Sequence, residues 1–252
     1  MELNFTKMHG LGNDFVFVDD FNKSIELSAD QIAFLCDRHF GIGADGVILV
    51  RPSDRPECVA YMHYINSDGS LAEMCGNGVR CFTKYLVDHN YIDADAGSLP
   101  ISFKLDANGL MSVASVDMDM PILDPEKIPT LLPASCTTNG ESFVNEEVVP
   151  SPWGDLSFTC VSMGNPHAVC FLDNLDQLPA EWFTSSDKTL NSFDLERFGA
   201  YFESHEAFPA KTNVEFIVPA DDGLHMRVFE RGCGETLACG TGACASLVAA
   251  VL

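Results

Sequence analysis

Apolar and polar positions along the chain fall into two similar series of predicted elements. The opening stretch FTKMHGLGNDFVFVDD reads as strand, turn and strand. Gly10, Gly12 and Asn13 supply the turn, and residues 15–18 the second strand. Ser28 stands as an N-cap before Ile32, Ala33, Leu35 and Cys36, which predicts a helix over 28–38. Strands follow at 46–50 and 59–65, then a helix over 76–87. Asn108-Gly109 lies between two further strand patterns, 101–105 and 110–116, and predicts a hairpin. Pro121, Pro125, Pro129 and Pro133 then interrupt the pattern. The boundary is expected near 118–134, giving domains over 1–118 and 119–252.

The second half repeats the first. Residues 158–174 again read strand, Gly-Asn turn, strand. A helix is predicted over 193–208, and strands over 213–218 and 224–230. Each series ends in the same motif, Cys75-Gly76-Asn77-Gly78 or Cys239-Gly240-Thr241-Gly242. Asn66 lies nine residues before Cys75, and Glu230 nine before Cys239. Repetition of four elements in order marks an internal duplication. The expected fold class is α+β, with two pseudo-symmetric domains, each a mixed or antiparallel sheet around a central helix. The chain stops within the apolar run Ala249-Ala250-Val251-Leu252. The C-terminal half is therefore expected to be truncated.

Composition narrows the function. The 252 residues carry 14 Lys and Arg against 37 Asp and Glu, a net charge of −23. That field repels phosphate backbones and excludes general nucleic-acid binding. An anionic substrate must be caught by local dipoles or by a specific arginine. No apolar run reaches the length of a membrane span, and no signal-peptide pattern opens the chain. Ten cysteines in a chain of this size, without a leader, read as reduced cytoplasmic thiols.

Cys75 and Cys239 are each predicted to begin a helix. Backbone N–H groups at a helix start lack partners within the helix, and the macrodipole adds positive charge. Each thiol is then expected to drop from about 8.5 toward neutrality. The same donors can hold a substrate carboxylate and stabilise the charge that builds when the neighbouring Cα–H is removed. One thiolate removing a proton, and an opposite thiol returning one, inverts a stereocentre. The other eight cysteines, Cys36, Cys58, Cys81, Cys136, Cys160, Cys170, Cys233 and Cys244, read as small buried side chains. There is no Cys-x-x-Cys pair and no zinc-ligand spacing. The formal Gly-x-Gly-x-x-Gly at 41–46 follows a helix and precedes a strand, the reverse of a dinucleotide fingerprint, and reads as a connecting loop.

The segments KMHGLGNDFVFVD, DRHFGIGADGV, MCGNGVRC, GNPHAV, TNVEF and ERGCGETLACGTGACA together resemble the diaminopimelate epimerase family. The resemblance runs from Phe5 to the last residues. It implies interconversion of LL- and meso-diaminopimelate, in lysine and peptidoglycan precursor synthesis, without pyridoxal phosphate or metal. It implies Cys75 and Cys239 as the catalytic pair. Substrate contacts would fall on Asn13, Asn66, Gly76, Asn77, Asn165, Asn213, Glu230, Arg231, Gly240 and Thr241, with His167 and Glu230 tuning the thiols. A cytoplasmic homodimer without cofactor is the family expectation. Asparagine, with donor and acceptor on one head, suits a zwitterion. Arg231 suits a distal carboxylate. Asn66 and Asn213 precede no obvious glycine turn of their own.

Two departures stand out beside the chain's end. Many members carry Gln where Gly46 stands, and the span between the two cysteines is longer, around 130–147. The alternatives are another two-cysteine amino-acid racemase or a thiol redox or binding protein.

Overall fold

The computed structural model describes residues 2–56, 58–72, 75–92, 101–138 and 140–252. Met74 of the first motif and Asn139 of the longer span lie outside the described residues. The chain divides into two compact units, Met1–Asp117 and Met118–Leu252. Each is a mixed sheet with helices against it, an α+β arrangement.

In the first unit β1 (Thr6–Gly10) and β2 (Asn13–Asp19) form a hairpin. Helix α1 (Ala29–Cys36) carries the chain over to β3 (Gly46–Pro52), which pairs parallel to β2. Strand β4 (Ala60–Asn66) returns antiparallel, so the sheet order is β1-β2-β3-β4. Phe15 to Val18 are all within 1% of full burial, because both faces of the central strands are covered. Phe15, Phe17, Ile48 and Val50 pack on Cys81, Phe82 and Tyr85 of α2 (Gly76–Asp88). Val16, Val18, Val47 and Leu49 pack on Ile32 and Cys36 of α1. Ser28 caps α1 in a full capping box with Gln31, as the N-cap signal predicts. A hairpin of β5 (Ile101–Leu105) and β6 (Met111–Val116) follows, with a register shift at Leu105. Lys84 and Asp88 of α2 bond the Met111 backbone on both sides.

The second unit opens with a short hairpin, β7 (Cys136–Thr138) and β8 (Glu141–Phe143), within the span expected to be longer. Its main sheet contains β9 (Glu147–Val149), β10 (Leu156–Ser162) and β11 (Pro166–Phe171). It continues with β12 (Asn213–Ala220), β13 (Gly223–Glu230) and β14 (Gly234–Thr236), in the spatial order β14-β13-β12-β11-β10-β9. Strands β11 and β12 are parallel, as β2 and β3 are. Helix α3 (Leu195–Glu203) lies in that crossover and covers one face through Phe198 and Phe202. Helix α4 (Gly240–Val251) covers the other through Ala245 and Ala249.

The helix predicted over 193–208 is shorter. The Asp194 side chain takes the Arg197 N–H and starts α3 there, and the chain leaves it at Ser204. Phe193 and Phe208 instead fold back on the core. Phe193 stacks on Phe198 with centroids 5.0 Å apart, and Phe208 meets Phe158 edge-on at 6.1 Å.

Glycine fixes how closely α3 approaches the sheet. A Cβ at Gly199 would lie 2.5 Å from Cβ and Cγ of Phe229. Alanine there gains about 1 kcal/mol of helix propensity but overpacks the core by about 1–3 kcal/mol. The contact is with the fixed Cβ as well as the ring, so the clash prevails. Gly199→Ala is expected to lower the urea midpoint without changing the slope of unfolding.

Candidate active site

Cys75 and Cys239 are the N-cap residues of α2 and α4. Both have extended backbones, with φ −147° and −122°. Each sulfur accepts the N–H of the third helical residue, Gly78 at 3.3 Å and Gly242 at 3.4 Å. Glycine is required at the second of these positions. A Cβ on Gly242 would stand 2.6 Å from Glu215 Oε1, whereas on Gly78 it would touch Ile48 Cδ1 at 3.4 Å. The two first turns are alike, but they lie over different neighbours.

Around Cys75 an amide is the described side-chain partner, with charged groups one bond further out. Its thiol donates to Asn13 Oδ1 at 3.5 Å, and Asn77 Nδ2 reaches the same oxygen at 3.5 Å. Asn13 Nδ2 donates to Asp45 Oδ2 at 2.8 Å, which holds the amide in place. Arg38 bridges Asp14 and Asp45 at 2.8 and 2.7 Å. Burial alone would raise Asp14, but the hydrogen bonds and charges of Arg38 and Lys7 prevail and hold it at about 2. Arg80 donates to Gly76 O at 3.2 Å and to Asn77 Oδ1. Asn66, at the end of β4, bonds Ser70 through its backbone N–H and its amide, and its carbonyl accepts from Gly69 N. The sequence shows no glycine turn for Asn66. The structure corrects this: the turn closes on Gly69, whose φ of +85° suits glycine.

Around Cys239 the groups are buried and charged. Cys239 is 5% exposed and Thr241 1%, while His167 and Glu215 are fully buried. The Thr241 hydroxyl lies 3.3 Å from Cys239 Sγ. Asn165 Nδ2 donates to that hydroxyl at 3.3 Å, and Asn165 Oδ1 lies 3.1 Å from His167 Nε2. His167 Nδ1 lies 2.6 Å from Glu215 Oε1. Glu230 bonds the Thr236 hydroxyl and also takes a hydrogen bond from Cys239. Burial raises the Glu230 carboxyl above its ordinary value. Asn213 donates to Pro166 O at 2.8 Å and accepts the Arg231 N–H at 3.0 Å, which ties β11, β12 and the turn after β13 together. The Arg231 guanidinium reaches Ala210 O at 3.2 Å. Gly240, like Gly76, is the first residue of its helix.

Two expectations change, and one residue is added. Cys239 does not move toward neutrality: burial, then the charges of Glu230 and Glu215, push its thiol well up, against the bonds from Thr241 and Gly242. Three of the cysteines read as buried, Cys58, Cys136 and Cys233, are exposed, because they lie in turns and an edge hairpin. Cys36 and Cys81 do behave as buried thiols, each raised to about 11 by desolvation. Glu215 was not singled out from sequence. Its signal is an acid inside the apolar run Val214-Glu215-Phe216-Ile217-Val218, two residues from Asn213 and so on the same face of β12.

Among the described residues no group of three or more His, Cys, Asp or Glu side chains could hold a metal ion, and no helix is long and apolar enough to cross a membrane.

Two measurements follow. A carboxyl lowered on folding stabilises the protein above its unfolded value and loses that contribution as pH falls. For Asp14 the window runs from about 4 down to about 2, and the contribution is on the order of 2 kcal/mol. Arg38→Ala should lower stability at neutral pH, and the gap from wild type should close across that window in urea titrations. At Cys239, alkylation mapped by mass spectrometry should be slow at neutral pH beside Cys58 and Cys136. Glu230→Gln should speed it by removing a negative neighbour.

A family model described as diaminopimelate epimerase matches residues 5–121 and 159–252, passing over the β7–β8 hairpin. A diaminopimelate epimerase of Methanococcus maripaludis is 44% identical, over 99% of this chain and 84% of that protein. One of Leptospira biflexa is 42% identical, over 100% and 85%. Among solved structures, a hydroxyproline epimerase from Agrobacterium vitis, with bound trans-4-hydroxy-L-proline, aligns with TM-score 0.60 at 15% identity, over 98% of this chain and 75% of that one. A probable proline racemase from Agrobacterium radiobacter gives 0.61 at 14% identity, over 99% and 77%. These two share the fold. With both cysteine-capped helices inside the matched segments, the chain belongs to the diaminopimelate epimerase family.

Proposed function

We propose that the chain epimerises LL-2,6-diaminopimelate to the meso isomer without an organic cofactor or metal, with Cys75 and Cys239 as its two acid–base groups. The observation that carries this reading is the pair of extended cysteine N-caps, each followed by a glycine-bearing first turn, in a chain of this family. One sulfur takes the α-proton as its C–H bond breaks. The other delivers its proton to the opposite face as the new C–H bond forms. The thiol and thiolate have then exchanged roles, and no atom is gained or lost. The unequal surroundings support unequal starting states. Cys239, raised by burial and by Glu230 and Glu215, is a thiol that gives a proton. Cys75, which bonds the Asn13 amide, is the base for the LL substrate.

Helix N–H groups at Gly76, Asn77, Gly240 and Thr241 suit the reacting carboxylate, whose charge grows as the proton leaves. Asn13, Asn66, Asn165 and Asn213 suit the ammonium and carboxylate groups, and Arg231 the distal carboxylate. His167 and Glu230 set the protonation of the thiols. The free cysteines support a reducing, cytoplasmic setting. A homodimer is the assembly proposed, with lysine and cell-wall precursor synthesis as the context.

Incubation with LL-diaminopimelate in D2O should place deuterium at one α-carbon only. Cys75→Ser and Cys239→Ser should each lose at least about a hundredfold in rate, the usual scale of general acid–base catalysis. No label from the intact protein would overturn the proposal. A pH–rate profile unchanged by His167→Ala or Glu230→Gln would remove the tuning role alone.

A further inference from the structure

Helix α3 ends on a buried carboxylate that the candidate site does not use. The helix packs Leu195, Phe198 and Phe202 into the core, and Glu203, next in line, is 7% exposed. A carboxylate is seldom so buried unless its oxygens are bonded. Glu203 Oε1 takes the Gly232 N–H at 3.0 Å and the Lys211 ammonium at 3.2 Å, with Oε2 3.5 Å from the same ammonium. The main-chain carbonyl of Glu203 takes the Thr212 N–H at 3.1 Å. The Lys211 side chain is more than half exposed, and an ion pair with such a partner contributes little. The bond to Gly232 is the one that needs a carboxylate inside.

Gly232 stands in the turn that leaves β13. The Cys233 N–H closes that turn on Glu230 O at 3.1 Å, so Arg231 and Gly232 are its two central residues. Gly232 has φ +76°, the left-handed value a type II turn requires at that place. Two side-chain acceptors bracket Arg231. Asn213 Oδ1 takes the Arg231 N–H at 3.0 Å, and Glu203 Oε1 takes the next one, from Gly232. Peptide groups are planar, so holding both planes beside the Arg231 Cα fixes its φ and ψ and the direction of its Cα–Cβ bond. The guanidinium adds a bond to Ala210 O at 3.2 Å, in the loop that Glu203 also holds through Lys211 and Thr212. One carboxylate thus fastens both segments on which Arg231 rests.

We propose that Glu203 is a positioning residue for Arg231: its Oε1 holds the turn after β13 so that the guanidinium is presented to the second carboxylate of a ligand. An arginine side chain loses rotamer freedom when it binds. Fixing its base beforehand removes part of that loss, so the gain falls on ligands that carry the carboxylate and not on those that lack it. What matters is the reach of the acceptor oxygen, not the charge. Glu203→Gln keeps an oxygen at the position of Oε1. Glu203→Asp keeps the charge but draws it back by one methylene from the Gly232 N–H, while the flexible Lys211 side chain can follow it.

The inference rests on the proposed function, in which Arg231 meets the distal carboxylate of diaminopimelate. L-Lysine is that substrate without the distal carboxylate. The ratio of the two dissociation constants, measured by calorimetry on the full chain, therefore isolates the contact. Glu203→Asp should lower the preference for LL-diaminopimelate over L-lysine about tenfold, the scale of one hydrogen bond to a charged group. Glu203→Gln should keep it, and in an Arg231→Leu chain neither change should alter it. Equal loss in the two variants, loss in neither, or a loss that persists in the Arg231→Leu chain would overturn the proposal. Without ligand, amide exchange at Arg231 and Gly232 of the 15N-labelled chain should quicken in Glu203→Asp while β12 is unchanged. No quickening, or quickening throughout β12, overturns it as well. A wild-type chain that fails to label diaminopimelate, yet shows this local exchange, refutes the proposed function and not the hold on Arg231.

Discussion

The approach of a helix start to a sheet, with no side chain between them, is the constraint on which the second unit's site depends. Gly242 allows α4 to come down on Glu215, and its N–H reaches Cys239 Sγ. Any larger residue would lift the first turn away from the carboxylate. The sulfur would then lose its backbone donor, and Thr241 its place beside Asn165. Gly78 serves α2 in the same way, but over Ile48 the approach is less tight. Geometry that two similar folds share is thus turned to different chemistry by what lies under the helix.

That difference is one of electrostatics more than of shape. The strand pairings of the two units correspond, down to one parallel pair bridged by a helical crossover. Phe15 and Ile48 occupy, in one unit, the places of His167 and Glu215 in the other. A buried carboxylate and imidazole cost desolvation that an apolar pair does not, and such a pair is seldom kept for stability alone. Asn66 and Glu230 extend the contrast at the ends of β4 and β13. Among the described contacts Cys75 bonds the Asn13 amide, whereas Cys239 has two carboxylates, Glu230 and Glu215, bearing on it.

The sequence made much of this legible. Its periodicity located the four strands of the first main sheet, β10 to β13 of the second, the capped helix α1 and both cysteine-led helices, because each has a local signal: alternation, an N-cap or a glycine turn; the three-residue edge strands β9 and β14 carry none. Cys75, Cys239, Asn165, His167 and Thr241 lie in short motifs and could be named directly. Other features depended on tertiary contacts. The ends of α3 are set by Asp194 and by aromatic residues folding back, not by helical periodicity. The turn after Asn66 has its glycine three residues on. The thiol of Cys239 is governed by burial and by two carboxylates remote in sequence, which outweigh the helix-start effect that local reasoning predicts. Gly46 packs its α-carbon so that a Cβ would lie 2.5 Å from Ile65 O, a neighbour the sequence does not reveal.

His167 and Glu215 are 48 residues apart and meet only across the parallel pairing of β11 with β12. Closing that pairing requires the whole crossover, including α3, to be in place, so the two polar side chains find each other late on any folding route. Until then each would have to stay in water. A slip of one residue would turn Glu215 to the opposite face, among Phe198 and Phe202 and away from His167. The buried hydrogen bond therefore doubles as a register lock, and a sheet assembled in the wrong frame carries its own penalty.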